Sequence, residues 1–297
     1  MRPRDILLAL LPVCAWGFNF VVIEVGVGEI PPILFVALRY ALAAYPAVFF
    51  VPRPALPWWK LIGLATILGV LQFSFMFTGM HIGVSAGLAS IVAQVQAVFT
   101  VAIAFVLFGE RPTRLQALGI AIAVAGIALI GLQTGGRLTL PGLTLVLIGA
   151  FFWGASNVWL RHIGPVNMLH LMVWVGIVPP LPLFAVSWLI EGPEAFRNAI
   201  VHMTWLGFGA VAYNAFVAAL IAYAAWARLL RQYGGAMIAP FSLLAPVVGM
   251  SSAALLLGET FTPGRLLAAL LILAGITLNV FGGTLARLLT RWRTLNA

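Results

Sequence analysis

Charge is what this chain has least of. Only 8% of its 297 residues are Asp, Glu, Lys or Arg, while 63% are hydrophobic and the mean hydropathy is +1.11. Soluble domains carry roughly a quarter charged residues, so a water-soluble fold with a polar skin is excluded and the bilayer must be the solvent. Cysteine is almost absent: Cys14 stands alone, which rules out an intramolecular disulfide and any cysteine-based metal cluster. The chain has no Gly-x-x-x-x-Gly-Lys-Ser/Thr phosphate loop, no His-Glu-x-x-His and no Gly-x-Ser-x-Gly. Those absences leave ATP-driven work and familiar hydrolase chemistry without support, and we expect no enzyme, no cofactor and no bound metal. Acids are scarce at depth, too: Glu24 lies near one end of an apolar run and His170 near the start of another.

What the chain does have is apolar runs of spanning length. About 20 apolar residues cross the hydrocarbon, and punctuation by Gly, Pro and charge gives ten runs: 5–26, 31–51, 58–79, 84–108, 112–131, 141–160, 167–190, 204–228, 235–257 and 264–286. The expected fold is therefore all-α, an integral membrane protein of ten transmembrane helices. The first run is longer than a signal peptide's apolar core, so we expect it to be retained. With the N-terminus placed in the cytoplasm, twelve basic residues fall inside: Arg2, Arg4, Arg53, Lys60, Arg111, Arg114, Arg161, Arg228, Arg231, Arg287, Arg291 and Arg293. Arg137, Arg197 and Arg265 fall outside, and Glu24, Glu29, Glu191, Glu194 and Glu259 collect on that outer side. This asymmetry predicts cytoplasmic termini, and it accounts for the net charge of +9 without nucleic acid as a partner.

The halves repeat. Trp16-Gly17-Phe18-Asn19 returns as Trp153-Gly154-Ala155-Ser156-Asn157, 137 residues on. Phe108-Gly109-Glu110, Thr113-Arg114 and Gly126-Ile127 return as Leu257-Gly258-Glu259, Thr262 with Arg265, and Gly275-Ile276, the Gly-Glu and Gly-Ile matches 149 residues on. The twelve-residue difference fits a longer loop around 191–203. Five helices per half is odd, so the second half must enter from the opposite side. Inverted repeats of this kind are the usual build of secondary transporters, with a midplane site between the halves. The repeats are expected at 1–134 and 141–286, with a seam near Gly135–Leu140 and a basic tail at 287–297.

Polar residues at membrane depth are the candidate solute contacts, because facing hydrocarbon unpaired is costly. Arg39, about 12 Å into the second run by helical rise, should face the interior. There it binds a carboxylate or guards a cavity, or it ties helices by bonding carbonyls or by pairing with Glu24. Ser90 and Gln94 share a helical face, on which Gln94 meets a head group or serves as interhelical glue. Asn19 and Asn157 take comparable places in the two halves. Gln72 is the polar residue of the third run least easily hidden. Tyr213, Asn214, Tyr223 and Trp226 give the eighth run a polar-aromatic face suited to lining a cavity, and Ser242 with Pro246 marks a kink in the ninth. The expected substrate contacts are Asn19, Arg39, Gln72, Ser90, Gln94, Tyr213, Trp226 and Ser242, with Glu24 as a possible coupling group. Gly83/Gly87 and Gly119/Ala123/Gly126 read as close-packing faces, and Trp58, Trp59, Trp188 and Trp205 as an interfacial belt. Glu110 and Glu259 read as turn-stabilising, with Arg111 and Arg265 as neutralising partners.

The order and repetition of these elements resemble the drug/metabolite transporter superfamily in its ten-helix form with two EamA domains, over essentially the whole chain. Within it, Trp16 to Ile23, Gly87-Leu88-Ala89-Ser90, Gln94-Val95-Gln96-Ala97 and Ser242 to Gly249 resemble the bacterial exporters of O-acetylserine and cysteine. Ala97 stands where Pro246 stands in the second half, and many relatives have proline in both. The resemblance implies an inner-membrane carrier that exports a small amino-acid metabolite by alternating access, with the solute and membrane lipids as its partners. It leaves open monomer or homodimer, and also other metabolites or drugs as cargo. A lipid-acting membrane enzyme would need a clustered catalytic set, and a scramblase would need a more polar path.

Overall fold

The structure is a computed structural model that describes residues 1–133 and 138–295. Among the described residues, ten helical segments follow the ten apolar runs. Eight are long and apolar enough to cross a membrane: α1 Arg4–Glu29 (helical from Pro3), α3 Trp58–Gly83, α4 Ala86–Phe108, α5 Arg114–Gly131, α6 Leu140–Ile163, α8 Trp205–Tyr233, α9 Pro240–Leu257 (helical from Gly235) and α10 Pro263–Gly282. α7 is a span bent by 40° between Met168–Gly176 and Pro180–Ile190, where Pro179 and Pro180 interrupt the hydrogen-bond ladder. α2, Pro32–Ala47, has 16 residues and rises only about 24 Å. The turn at 48–50 completes it, with Phe49 and Phe50 fully on the outside.

Three boundaries differ from expectation. α10 continues as helix to Leu295, through the segment expected as a tail. The 191–203 loop contains a short helix, Pro193–Val201, whose Phe196 packs edge-on against Phe184 and Trp188 of α7. Gly83 and Gly87 do not share a helix: Gly83 ends α3 at φ +137° and the chain turns before Ala86, so that pair is no packing face. The expected seam and Arg137 lie partly or wholly outside the described residues.

The repeat extends to backbone irregularities. π-helical turns occupy Ala65–Gln72 in α3 and Tyr213–Ile221 in α8, ending 149 residues apart. α4 tightens into a 3-10 turn at Ala93–Val95, and α9 is interrupted at Leu243–Leu244 between Ser242 and Ala245. Both helices stop at a left-handed glycine, Gly109 at φ 69° and Gly258 at φ 66°, a conformation glycine adopts without steric cost. Thr113 and Thr262 then cap α5 and α10 by accepting the N–H three residues on.

Contacts between the halves come in exchanged pairs. A Cβ on Gly17 of α1 would lie 2.5 Å from Ala245 O of α9, and one on Gly154 of α6 would lie 2.9 Å from Gln96 O of α4. Gly119 of α5 abuts Gly275 of α10, and its counterpart Ala268 abuts Gly126. Gly119 meets Gly275 and Asn279, whereas Gly126, further along α5, meets the earlier Ala268 and Ile272. α5 and α10 therefore run antiparallel. Because they are equivalent helices, the two five-helix halves are inverted relative to each other.

The bundle has two chemically distinct ends. Glu29, Glu191 and Glu259 lie at one, here the acidic end; Arg53, Lys60, Glu110 with Arg161, and the start of α1 lie at the other, the basic end. Trp58, Trp59, Trp188 and Trp205 are exposed near helix ends, as an interfacial belt requires.

Candidate solute site

A cavity sits between the halves, lined by α2, α3 and their counterparts α7 and α8. Its walls include Arg39, Tyr40, Leu68, Phe73, Met172 and Tyr223. Its volume is ≈ 30 Å³, room for a few waters and far below the roughly 300 Å³ at which small-molecule pockets begin. A solute therefore enters only when the walls part.

Arg39 is 4% exposed and, among the described residues, is the one charged residue of the cavity wall. Its guanidinium carbon lies 4.0 Å from the centre of the Phe73 ring, 4.9 Å from that of Tyr40 and 6.0 Å from that of Phe77. Those faces stabilise a cation but accept no hydrogen bond from its plane edge, and Nη1 is buried without an acceptor. At the 137-residue spacing the counterpart of Arg39 is Gly176, which also lines the cavity. The place is symmetric and its charge is not.

The remaining predicted contacts scatter around this centre. Trp226 and Tyr223 both stack edge-on against Trp16, each at 5.3 Å, and Trp16 Nε1 donates to Ala218 O across the π-turn of α8. Tyr213 donates to Ala15 O and packs against Phe18, above the cavity. Ser90 is fully buried, donates to Gly87 O and fits against Gly249, so it joins α4 to α9. Gln94 is buried at the centre of the 3-10 turn, outside the cavity wall. Ser242 ends the first segment of α9. Asn19 and Gln72 are buried, and Asn19 Oδ1 and Gln72 Oε1 lack hydrogen-bond partners. Glu24 is buried in α1. Asn157 is not the counterpart of Asn19: at the constant spacing Asn19 matches Ser156, and Asn157 donates to Gln96 and Thr100 of α4. Sequence reasoning omitted Tyr40, Phe73, Met172 and, from its list of contacts, Tyr223. The signal for Tyr40 was adjacency to Arg39, that for Tyr223 was its place on the polar-aromatic face of the eighth run, and that for Phe73 was hidden by the π-turn of α3.

At the acidic end, glutamates bridge the halves. Glu191 accepts the N–H groups of Ile33 at 2.7 Å and Leu34 at 3.1 Å, capping α2 from the far half, while Ser187 donates to the same carboxylate. Glu259 accepts from Ser85 Oγ at 2.8 Å and from Gly87 N at the start of α4. Glu29 takes the Thr204 hydroxyl at the cap of α8. Glu110 instead makes a two-pronged ion pair with Arg161, rather than Arg111, and this contact holds its carboxyl below the usual value.

The model of the EamA-like transporter family matches residues 4–132 and 140–281. The chain belongs to that family. Among relatives of the EamA chain, a probable amino-acid metabolite efflux pump of Salmonella typhimurium is 41% identical over 288 residues, covering 95% of this chain and 96% of the relative. A probable amino-acid metabolite efflux pump of Escherichia coli is 38% identical over 299 residues, covering 99% and 98%. A crystal structure superposes with a TM-score of 0.60 at 18% identity, covering 97% of this chain and 99% of the other, a likeness that shows the fold alone. The EamA chain is thus a multi-pass membrane transporter rather than an enzyme.

Proposed function

We propose that this EamA transporter is a secondary exporter of small amino-acid metabolites, of the O-acetylserine and cysteine type, working by alternating access. One observation carries the reading: a buried guanidinium with an unfilled Nη1 lines a cavity between inverted halves. No carboxylate stands in the described wall, so the solute's own carboxylate is the natural partner of Arg39. The apolar and aromatic walls suit a compact body. Relatives named as amino-acid metabolite efflux pumps support the same class of cargo.

In an opened state, Asn19, Gln72 and Gln94 are the polar groups available to the solute's other end, and Glu24 is the candidate for proton coupling. Trp226 and Tyr213 hold α8 against α1, while Ser90 and Ser242 belong to the helices that pack across the halves. The repeats are taken as 1–134 and 141–286. The basic end is cytoplasmic, because Lys and Arg gather there, and export runs toward the acidic end.

Purified protein in proteoliposomes tests this. Flux of a carboxylate-bearing amino-acid metabolite should saturate, and Arg39→Gln should raise KM about 10- to 100-fold, the effect of losing hydrogen bonds to a charged group. Arg39→Lys should recover part of the loss, since it keeps the charge but not the planar fork. Folded wild-type protein that shows no saturable flux of any such metabolite overturns the proposal.

A further inference from the structure

The two Gly-Glu turns are equivalent in sequence and backbone, yet they act differently. Glu259 crosses to the other half and caps the start of α4 through Ser85 and Gly87. Gly87 makes room for it: a Cβ there would lie 2.9 Å from Glu259 Oε2. At the 149-residue spacing, Glu110 is the counterpart of Glu259, and 234–236, where α9 begins, is the counterpart of Ser85–Gly87. The first N–H groups of a helix are free of intrahelical partners and favour an anion. Glu110 nevertheless sits on Arg161, with both groups largely in solvent. A second pair repeats the asymmetry. Glu191 caps α2 from across the halves, but the equivalent α7 is capped locally by its own Asn167. Carboxylates thus clasp the halves at the acidic end; at the basic end Asp5 takes the Tyr233 hydroxyl across the halves, but among the described residues the counterparts of the Glu259 and Glu191 caps are not made.

We propose that Glu259 and Glu110 are alternating latches. This rests on the alternating-access reading above. In the conformation described here Glu259 closes the acidic end while Arg161 parks Glu110. When the basic end closes, Glu110 leaves Arg161 and accepts the first N–H groups of α9, and Glu259 releases Ser85 and Gly87. The new cap at α9 offsets part of what opening the acidic end breaks, where the Glu191 and Glu29 contacts must also part, and a solute bound more tightly in that state supplies the rest.

Spin-label distances test the exchange without needing transport, so a failure here is separable from a failure of the export reading. In a Cys14→Ser background, one pair of labels at Ile82 and Trp205 reports the acidic end, and another at Phe49 and Arg231 reports the basic end. Glu259→Gln and Arg161→Gln should each move the population toward a long acidic-end and short basic-end distance, by about 10-fold or more in the ratio of states. Adding Glu110→Gln to Arg161→Gln should return the distribution to that of wild type. Glu110→Gln and Arg161→Gln break the same ion pair, so a turn-stabilising role moves both in one direction and leaves the double variant like either single. That result, or unchanged distances in all variants, overturns the proposal.

Discussion

Substituting Gly119 by Ala separates backbone contact from helix propensity at the seam between the halves. The added Cβ would stand 2.5 Å from Gly275 O and 2.7 Å from Asn279 N, both backbone atoms of α10. Ordinary contact begins near 3.4 Å, so α10 must retreat by about 0.9 Å or α5 must tilt, and neither helix can answer by turning a side chain. Overpacking of this kind costs about 1–3 kcal/mol. The intrinsic preference for Ala over Gly in a helix works the other way by about 1 kcal/mol. Gly209→Ala provides the reference, because Gly209 lies within α8 and a Cβ there meets nothing within 4 Å. The propensity term cancels between the two variants, leaving a difference of about 1–3 kcal/mol, or several degrees in melting temperature at about 2–4 °C per kcal/mol. Thermal unfolding of both variants in one detergent measures it. If Gly119→Ala melts with Gly209→Ala, the seam is not held by close backbone approach.

Glu191→Gln removes the charge that caps α2 across the halves, and the N–H groups of Ile33 and Leu34 should exchange with deuterium about 10-fold faster while α7 keeps its protection; equal protection in the variant counts against the clasp. Glu110 should titrate below the ordinary value of 4.5 because Arg161 donates to its charged form. Since the folded value is depressed, the ion pair is fully present above the ordinary value and is lost as pH falls through the lowered one. Carbon-13 NMR of the carboxyl should show this, and Arg161→Gln should bring the value back up; an unshifted Glu110 in wild type refutes it.

Much of the fold was legible because lipid imposes a length and a polarity that Gly, Pro and charge interrupt visibly. The two spacings of 137 and 149 held down to π-turns, left-handed glycines and threonine caps. The site was less legible for a physical reason. Arg39 announced itself by depth, whereas Gln72, Ser90 and Gln94 are polar at depth without lining the cavity. Tyr223 was legible as part of the polar-aromatic face of the eighth run, but helical-wheel reasoning at 3.6 residues per turn fails across a π-turn, and Phe73, directly after one, was not assigned to the wall. Asn157 was paired with Asn19 by residue type, although one residue of offset turns it about 100° away toward α4. The glutamate clasps join residues more than 150 positions apart, and no local pattern encodes them.

The matched π-turns also decide how the protein tolerates changes in length. A π-turn is an extra residue absorbed by a helix, and everything beyond it is turned by roughly 100° relative to a plain α-helix. Phe73 follows the turn of α3 directly, and Tyr223 follows that of α8 by two residues. Removing any single residue from either stretch would restore a regular helix and swing the corresponding ring out of the cavity wall toward its flank. The membrane-spanning length would scarcely alter. Deletions there should therefore spare insertion into the bilayer while dismantling the cavity, a vulnerability that no substitution scan of the same residues would reveal.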